Sequence, residues 1–385
     1  MHSSSEMFDV IICGAGPAGC TAALALGTSG LKTGLIEKES FPGNKVCGDA
    51  IPAYVPKILG TINQEYSNAF ARLEPKEIVN TCRIVAPNGK TLDLKYPESG
   101  VICKRQVFDN FLFELTRQLS NLTVYQATAV KDITIENNLA VISTSKNQLL
   151  KARLVIGCDG AHSLTKRKLS DSEVNQKHST GVVRTYFKNV KDIPAATFEL
   201  HFLKGIIPGY FWIFPLPDKQ SNVGIGLPSG IIKSKRINLK KELLNIIETN
   251  PFLKTRFSEA EMVSDIKGST IPLWVQKAGI SGRSFMLCGD AALLADPLTG
   301  AGIGQAMISG RYAGWHAIKC FELGNFSSEF LSGYDNAVYE KLWKETSNHY
   351  FIRKMISLHP AILNSSVSLA SKSRFIYNMV IKTLL

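Results

Sequence analysis

Three glycines near the start of the chain are spaced to hold a phosphate. Gly14-Ala15-Gly16-Pro17-Ala18-Gly19 follows the apolar run Phe8-Asp9-Val10-Ile11-Ile12-Cys13 and leads into an Ala/Leu-rich stretch ending near Leu26. A strand that turns tightly into a helix leaves the first N–H groups of that helix unpaired, and these groups, with the helix dipole, attract an anion. Gly14 would permit the turn, Gly16 would let a pyrophosphate approach the backbone, and Gly19 would let helix and strand pack closely. A second apolar run, Lys32 to Ile36, ends at Glu37, 18 residues past Gly19. A carboxylate there can accept hydrogen bonds from ribose hydroxyls, and Lys38 beside it is counted among the cofactor-binding positions. Strand, G-x-G-x-x-G, helix, strand and acid together form a dinucleotide fingerprint. The plainer alternative is a glycine turn in an ordinary α/β unit.

The fingerprint alone does not choose between NAD and FAD; two distant segments do. Leu154-Val155-Ile156-Gly157-Cys158-Asp159-Gly160 reads as a strand ending in Asp-Gly, and Ser284-Phe285-Met286-Leu287-Cys288-Gly289-Asp290 as a strand ending in Gly-Asp. Pro297-Leu298-Thr299-Gly300-Ala301-Gly302-Ile303-Gly304 then opens a helix over 305–321. The trio resembles the FAD-binding fold of the aromatic-hydroxylase and geranylgeranyl-reductase superfamily. The resemblance implies that Asp290 holds the ribityl hydroxyls and that Gly300, Gly302 and Ile303 lie beside the flavin. Backbone N–H groups at that helix start could stabilise negative charge on the reduced flavin. Asp159 and Gly160 occupy the middle motif, whose usual arginine is replaced by Lys166. Arg105, in Lys104-Arg105-Gln106-Val107-Phe108-Asp109, sits where a flavin-contacting arginine is expected; a surface charge at a helix start is the alternative.

Two further stretches narrow the resemblance. Lys45-Val46-Cys47-Gly48-Asp49-Ala50-Ile51 is similar to the K-x-C-G-[GDE]-G-[LI] segment of the geranylgeranyl reductase family, departing from it at Ala50. Tyr210-x-Trp212-x-Phe214-Pro215, followed by Gly224-x-Gly226, resembles that family's substrate-site motif, with Leu216 where a lysine is usual. The resemblance implies non-covalent FAD, with Cys47 and Gly48 near its ring. It also implies a water-poor cavity lined by Tyr210, Trp212, Phe214 and Pro215 for a long hydrocarbon. Bare composition would read the same rings as sheet core. Family chemistry is reduction of isolated prenyl C=C bonds: hydride passes from reduced FAD to one carbon and a proton reaches the other. Cys47 is the candidate catalytic residue and proton donor; the competing view is that its thiol only packs.

Two rivals share these residues. One is a flavin-dependent monooxygenase or halogenase acting on an aromatic or polyene; a halogenase would want W-x-W, and Tyr210 replaces the first Trp. The other is a flavoprotein that binds a lipid or partner without turnover. No second dinucleotide fingerprint is present, so NAD(P)H or a small redox protein would donate electrons transiently.

The elements that must position these residues define an α/β fold. It comprises a Rossmann-type FAD-binding domain of the glutathione-reductase/aromatic-hydroxylase kind, over 1–75, 98–180 and 268–325. An inserted antiparallel substrate-binding sheet covers 76–97 and 181–267, and a helical segment covers 326–385. The aromatic strand around Tyr210 to Phe214 and Val223 to Leu227 would form a hairpin around a polar turn at 218–222, and 239–249 reads as an amphipathic helix. At the end, Phe375, Ile376, Met379, Val380 and Leu384 recur with helical period opposite Lys372, Arg374 and Lys382. Such a stripe either packs on its own domain or lies in the plane of an anionic bilayer.

Composition excludes several classes. The 385 residues carry 44 Lys+Arg against 32 Asp+Glu, a net charge of +12 that favours anionic partners. No nucleic-acid motif accompanies it. No C-x-x-C pair or other metal-ligand spacing occurs among the eight cysteines. Cys13, Cys158 and Cys288 read as small buried hydrophobes. No apolar run reaches the ~18 residues of a membrane span, and the N-terminus lacks the features of a secretory signal. The expectation is a cytoplasmic protein with a hydrophobic or lipid substrate, touching the inner face of the membrane if at all.

Overall fold

The computed structural model describes residues 6–171 and 178–384. Two sheets organise it. The first has strand order Ser281–Gly282, Phe285–Leu287, Leu149–Gly157, Glu6–Cys13, Thr33–Ile36 and Leu122–Tyr125, and the last five are mutually parallel. Val10 to Cys13 are all fully buried, as a central strand covered on both faces requires. The hairpin Val130–Glu136 and Leu139–Thr144 extends Leu149–Gly157 antiparallel.

Every residue of the helix Pro17–Leu26 is buried. It packs through Ala18, Ala22 and Ala25 onto Gly310 and Gly314 of the helix Ile303–Leu323, which begins two residues before its expected start. The small side chains let the helix axes approach closely. The two helices start at Gly16 and Gly302 respectively, and both N-caps border one cavity.

The second sheet runs Glu261–Met262, Ser179–Lys188, Gln220–Pro228, Tyr210–Leu216, Thr197–His201, Glu77–Val85, Thr91–Ile102 and Ala50–Ile51. Its pairs are antiparallel except Thr197–His201 with Glu77–Val85. Lys267–Pro272 pairs with Ser179–Lys188. Thr91–Ile102 and Lys267–Pro272 therefore carry the sheet a few residues past the limits read from the sequence.

One face of this sheet is ordinary core. Phe211, Ile213, Val223 and Ile225 meet Leu243, Ile246 and Leu253 from the helices Leu239–Thr249 and Pro251–Arg256. Strand side chains alternate, so Tyr210, Trp212 and Phe214 project from the opposite face. The turn between Tyr210–Leu216 and Gln220–Pro228 is shorter than expected: only 217–219 lie outside the strands. Asn222 is thus no turn residue but a fully buried strand position paired with Phe214.

The helix Ser328–Leu358 leads to Ala361–Ala370 and Arg374–Leu384. Val367, Ala370, Ile376, Tyr377 and Val380 pack on Cys82, Leu92 and Leu94 of the second sheet. Phe375 and Met379 stay 79% and 53% exposed, which splits the expected apolar stripe between two faces. The side chains of Lys382 and Leu384 lie outside the described residues. No helix among the described residues is long and apolar enough to cross a membrane.

Candidate functional site

The glycine turn has the geometry its spacing predicts. Gly14 has φ of +101°, and a Cβ there would lie 2.4 Å from the Cys158 carbonyl oxygen; one on Gly19 would lie 1.8 Å from the Gly14 oxygen. Among the described residues nothing stands within 4 Å of a Cβ built on Gly16, which leaves its backbone open. Glu37 Oε2 accepts the Ala15 N–H at 2.7 Å, and Oε1 accepts Glu39 N–H at 2.9 Å. The acid is fixed at the end of its strand beside the turn, and Lys38 is exposed next to it.

A cavity of about 880 Å³ runs from this turn to the C-terminal helices. Gly16, Pro17, Ala18, Gly160, Asp290, Gly300, Gly302 and Ile303 line one end. Cys47, Gly48 and Arg105 line it together with Tyr210, Trp212 and Phe214. Leu363, Val367, Met379 and Val380 form part of its wall from the last two helices. These residues fit FAD: an open backbone turn for phosphates, an acid at its side, and a second helix start bordering the same space.

Some expected residues stand elsewhere. Pro215 does not line the cavity, because strand alternation turns it away from the face that bears Trp212 and Phe214. Asp159 is spent on the chain itself: its carboxylate accepts Ser163 Oγ at 2.5 Å, Thr165 N at 2.9 Å and Thr165 Oγ1 at 3.1 Å. Gly14, Gly19 and Glu37 shape the turn without lining the cavity. Cys158 is half-buried at the cavity, unlike the fully buried Cys13 and Cys288.

Residues 44–49 bridge the two sheets' sides of the cavity. Lys45 Nζ lies 3.1 Å from Asp290 Oδ2. A Cβ on Gly48 would lie 3.0 Å from the Phe214 ring and 3.8 Å from Trp212 Nε1, so the loop touches the aromatic wall. Asp49 is fully buried at φ of +67°. Its carboxylate accepts the Tyr186 hydroxyl at 2.8 Å, Asn222 Nδ2 at 2.8 Å and the Arg105 backbone N–H at 3.1 Å. Burial still pushes its pKa above the ordinary 3.8, against the pull of those donors and of Arg184. Arg105 is no surface charge: it is 5% exposed and gripped by Asp109 through two bonds of 2.7 and 2.6 Å. Burial raises the Cys47 thiol above 9.0 while the Arg105 guanidinium beside it pulls the other way. A thiol so placed keeps its proton at neutral pH.

The far side of the site is braced by the long helix. His349 Nδ1 lies 2.6 Å from Asp296 Oδ2, and Asp296 Oδ1 accepts Thr299 N–H at 2.8 Å and Leu298 N–H at 3.0 Å. The Tyr210 hydroxyl donates to the Thr299 carbonyl. These bonds tie the glycine-rich loop before Ile303–Leu323 to both the aromatic strand and the helix Ser328–Leu358. Sequence reasoning passed over Asp49, Tyr186, Asn222, Asp296 and His349.

The comparisons with known proteins agree with this geometry. A family described as FAD binding domain matches residues 7–345. A digeranylgeranylglycerophospholipid reductase of Methanococcus vannielii is 31% identical over 354 residues, covering 90% of this chain and 86% of its own. The reductase of that name from Methanosarcina acetivorans is 29% identical over 359 residues, covering 89% and 82%. Among solved structures, a geranylgeranyl bacteriochlorophyll reductase-like protein from Thermoplasma acidophilum superposes with a TM-score of 0.83 at 24% identity, covering 96% of this chain and 93% of its own. A flavin-dependent brominase superposes at 0.79 and 17% identity, covering 98% and 93%. A glycine turn, a second helix start at the same cavity and relatives that match nearly end to end have one meaning: the chain belongs to the FAD-dependent geranylgeranyl reductase family.

Proposed function

We propose that this FAD-dependent oxidoreductase reduces the isolated C=C bonds of a polyprenyl lipid, with Cys47 and the Tyr210, Trp212 and Phe214 wall at the reacting end. The observation that carries this reading is that the Cys47 loop is tied to the aromatic wall inside the shared cavity, Asn222 bonding both the Cys47 carbonyl and the Trp212 indole, with no room for a side chain between Gly48 and the Phe214 ring. When bound and reduced, FAD supplies the hydride. The chain's own residues do the rest. Apolar side chains from the second sheet and from the last two helices bury the hydrocarbon, which has no polar handle and binds by area lost to water, about 25 cal/mol per Å². The same walls exclude water, and the Cys47 thiol holds a proton where an alkene carbon would need one. The relatives' name specifies a geranylgeranyl-bearing phospholipid, and a lipid of that kind is the substrate class assigned here. NAD(P)H or a small redox protein is the transient donor.

Membrane contact belongs to the same proposal. Phe375 and Leu369 stand exposed on helices that also wall the cavity, and exposed Lys372 and Arg374 adjoin them. An apolar face ringed by basic residues suits an anionic bilayer. In a flotation assay with anionic vesicles, Leu369→Asp/Phe375→Asp protein should stay at the bottom while the wild type floats. Equal flotation would retire the contact.

For the reaction, purified protein should bind FAD and reduce a geranylgeranyl lipid when supplied with reducing equivalents. Mass spectrometry should then show two hydrogens added per double bond, and recovery of unchanged lipid would refute the assignment.

A further inference from the structure

Among the described residues four Lys and Arg side chains border the cavity, and three have their charge or donors taken up. Lys45 pairs with Asp290, and Arg105 is clamped by Asp109. Arg353 donates to the Pro297 carbonyl at 2.7 Å and to Thr180 Oγ1 at 3.2 Å. Arg184 differs. It is 1% exposed, and Nη2 makes one bond to Asn44 Oδ1 at 2.9 Å. Its Nε has no partner among the described residues. Asp49 is near enough to feel its charge, yet that carboxylate is bonded to Tyr186, Asn222 and Arg105. The guanidinium lies over the Tyr186 ring at 4.3 Å. A cation–π contact offsets only part of the dehydration of a buried guanidinium.

Its position explains what the charge is for. Thr180, Val182 and Arg184 alternate onto one face of Ser179–Lys188, and all three line the cavity. Val182 and Tyr186 on that face pack with Trp212 and Phe214. The unpaired donor therefore stands on the same sheet face as the aromatic wall. A buried cation in an apolar cavity is retained at a cost in stability when an occupant brings the matching charge.

We propose that Arg184 is the receptor for an anionic oxygen carried by the cavity's occupant. The inference rests on reading the cavity as a flavin-and-lipid site. Two occupants carry such an oxygen: the phosphate of a prenyl lipid, and the pyrimidine edge of reduced flavin. Arg184→Met removes the charge and Arg184→Lys keeps it; Arg184→Gln replaces the first should it fail to fold.

Holoprotein, with FAD content checked by absorbance, is titrated with geranylgeranyl phosphate and with geranylgeraniol. If the lipid supplies the anion, the wild type binds the phosphate at least tenfold more tightly, Arg184→Met abolishes that preference and Arg184→Lys retains it. A second titration follows the flavin reduction equilibrium without lipid. If the flavin supplies the anion, Arg184→Met makes reduction at least tenfold less favourable, about 30 mV for a two-electron couple, and Arg184→Lys does not. If variants that hold FAD move neither quantity, the proposal is overturned and the cavity reading stands. A wild type that holds no FAD overturns both.

Discussion

Asn222 donates from Nδ2 to the backbone carbonyl of Cys47 at 2.8 Å, joining positions 175 residues apart in sequence. The same amide donates to Asp49 Oδ2 at 2.8 Å, and its Oδ1 accepts the Trp212 indole N–H at 2.9 Å. One side chain thus sets the spacing between the Cys47 loop and the aromatic wall. Asn222→Leu would leave the indole N–H and a carboxylate oxygen short of partners, each costing about 1–3 kcal/mol when buried. Chemical denaturation should show a loss of roughly 2–4 kcal/mol. Stability equal to wild type would mean that the clamp contributes nothing.

Cys47 is tested by substitution and by pH. A general acid contributes roughly 10²–10⁴-fold, so Cys47→Ala should keep FAD bound and slow single-turnover lipid reduction at least about 100-fold. The raised thiol pKa predicts a rate that is flat through neutral pH to the ordinary 9.0 and falls only as pH climbs through the higher folded value. The linked stability has the same sign, complete below 9.0 and lost above. An unchanged rate in Cys47→Ala would remove the thiol from the chemistry.

Asp49 makes the opposite kind of prediction. Burial favours its neutral form, so its contribution to stability is whole below pH 3.8 and shrinks as pH rises through the folded value. Asp49→Asn abolishes that dependence. The difference in Tm, variant minus wild type, should therefore grow between about pH 4 and pH 7. A difference that falls over this range would show that the donors around Asp49 outweigh its burial.

The Arg105–Asp109 pair supports the same loop from beneath. Breaking a buried pair by removing one partner costs about 3–5 kcal/mol, because the other charge is left alone. Asp109→Asn should lose stability of that order, measured by denaturant unfolding. A loss under about 1 kcal/mol would mark the pair as no stronger than an exposed one.

The legible parts of this site were those written in contiguous residues. Gly14, Gly16 and Gly19 sit on one turn, so their spacing carries them; Tyr210, Trp212 and Phe214 sit on one strand, where only the resemblance of their motif, and not their alternation, marked them as a wall. Asn222 was hidden because amides are common in turns, and only the pairing with Phe214 makes it a buried strand residue. Asp49 and Tyr186 come from separate segments, and no spacing rule joins them to each other or to Arg105, which the resemblance alone had singled out. The last helix was readable as amphipathic, but not as a wall of the cavity, since periodicity gives a face and not its neighbour.

The central claim is that lipid, and not oxygen, accepts the electrons. Photoreduced holoprotein should be mixed under strict anaerobiosis with a geranylgeranyl phospholipid while flavin absorbance is followed. The account predicts that the yellow oxidised spectrum returns with lipid alone and that the lipid gains hydrogen. A flavin that stays reduced until oxygen is admitted, with oxygen consumption then stimulated by the lipid, would contradict it.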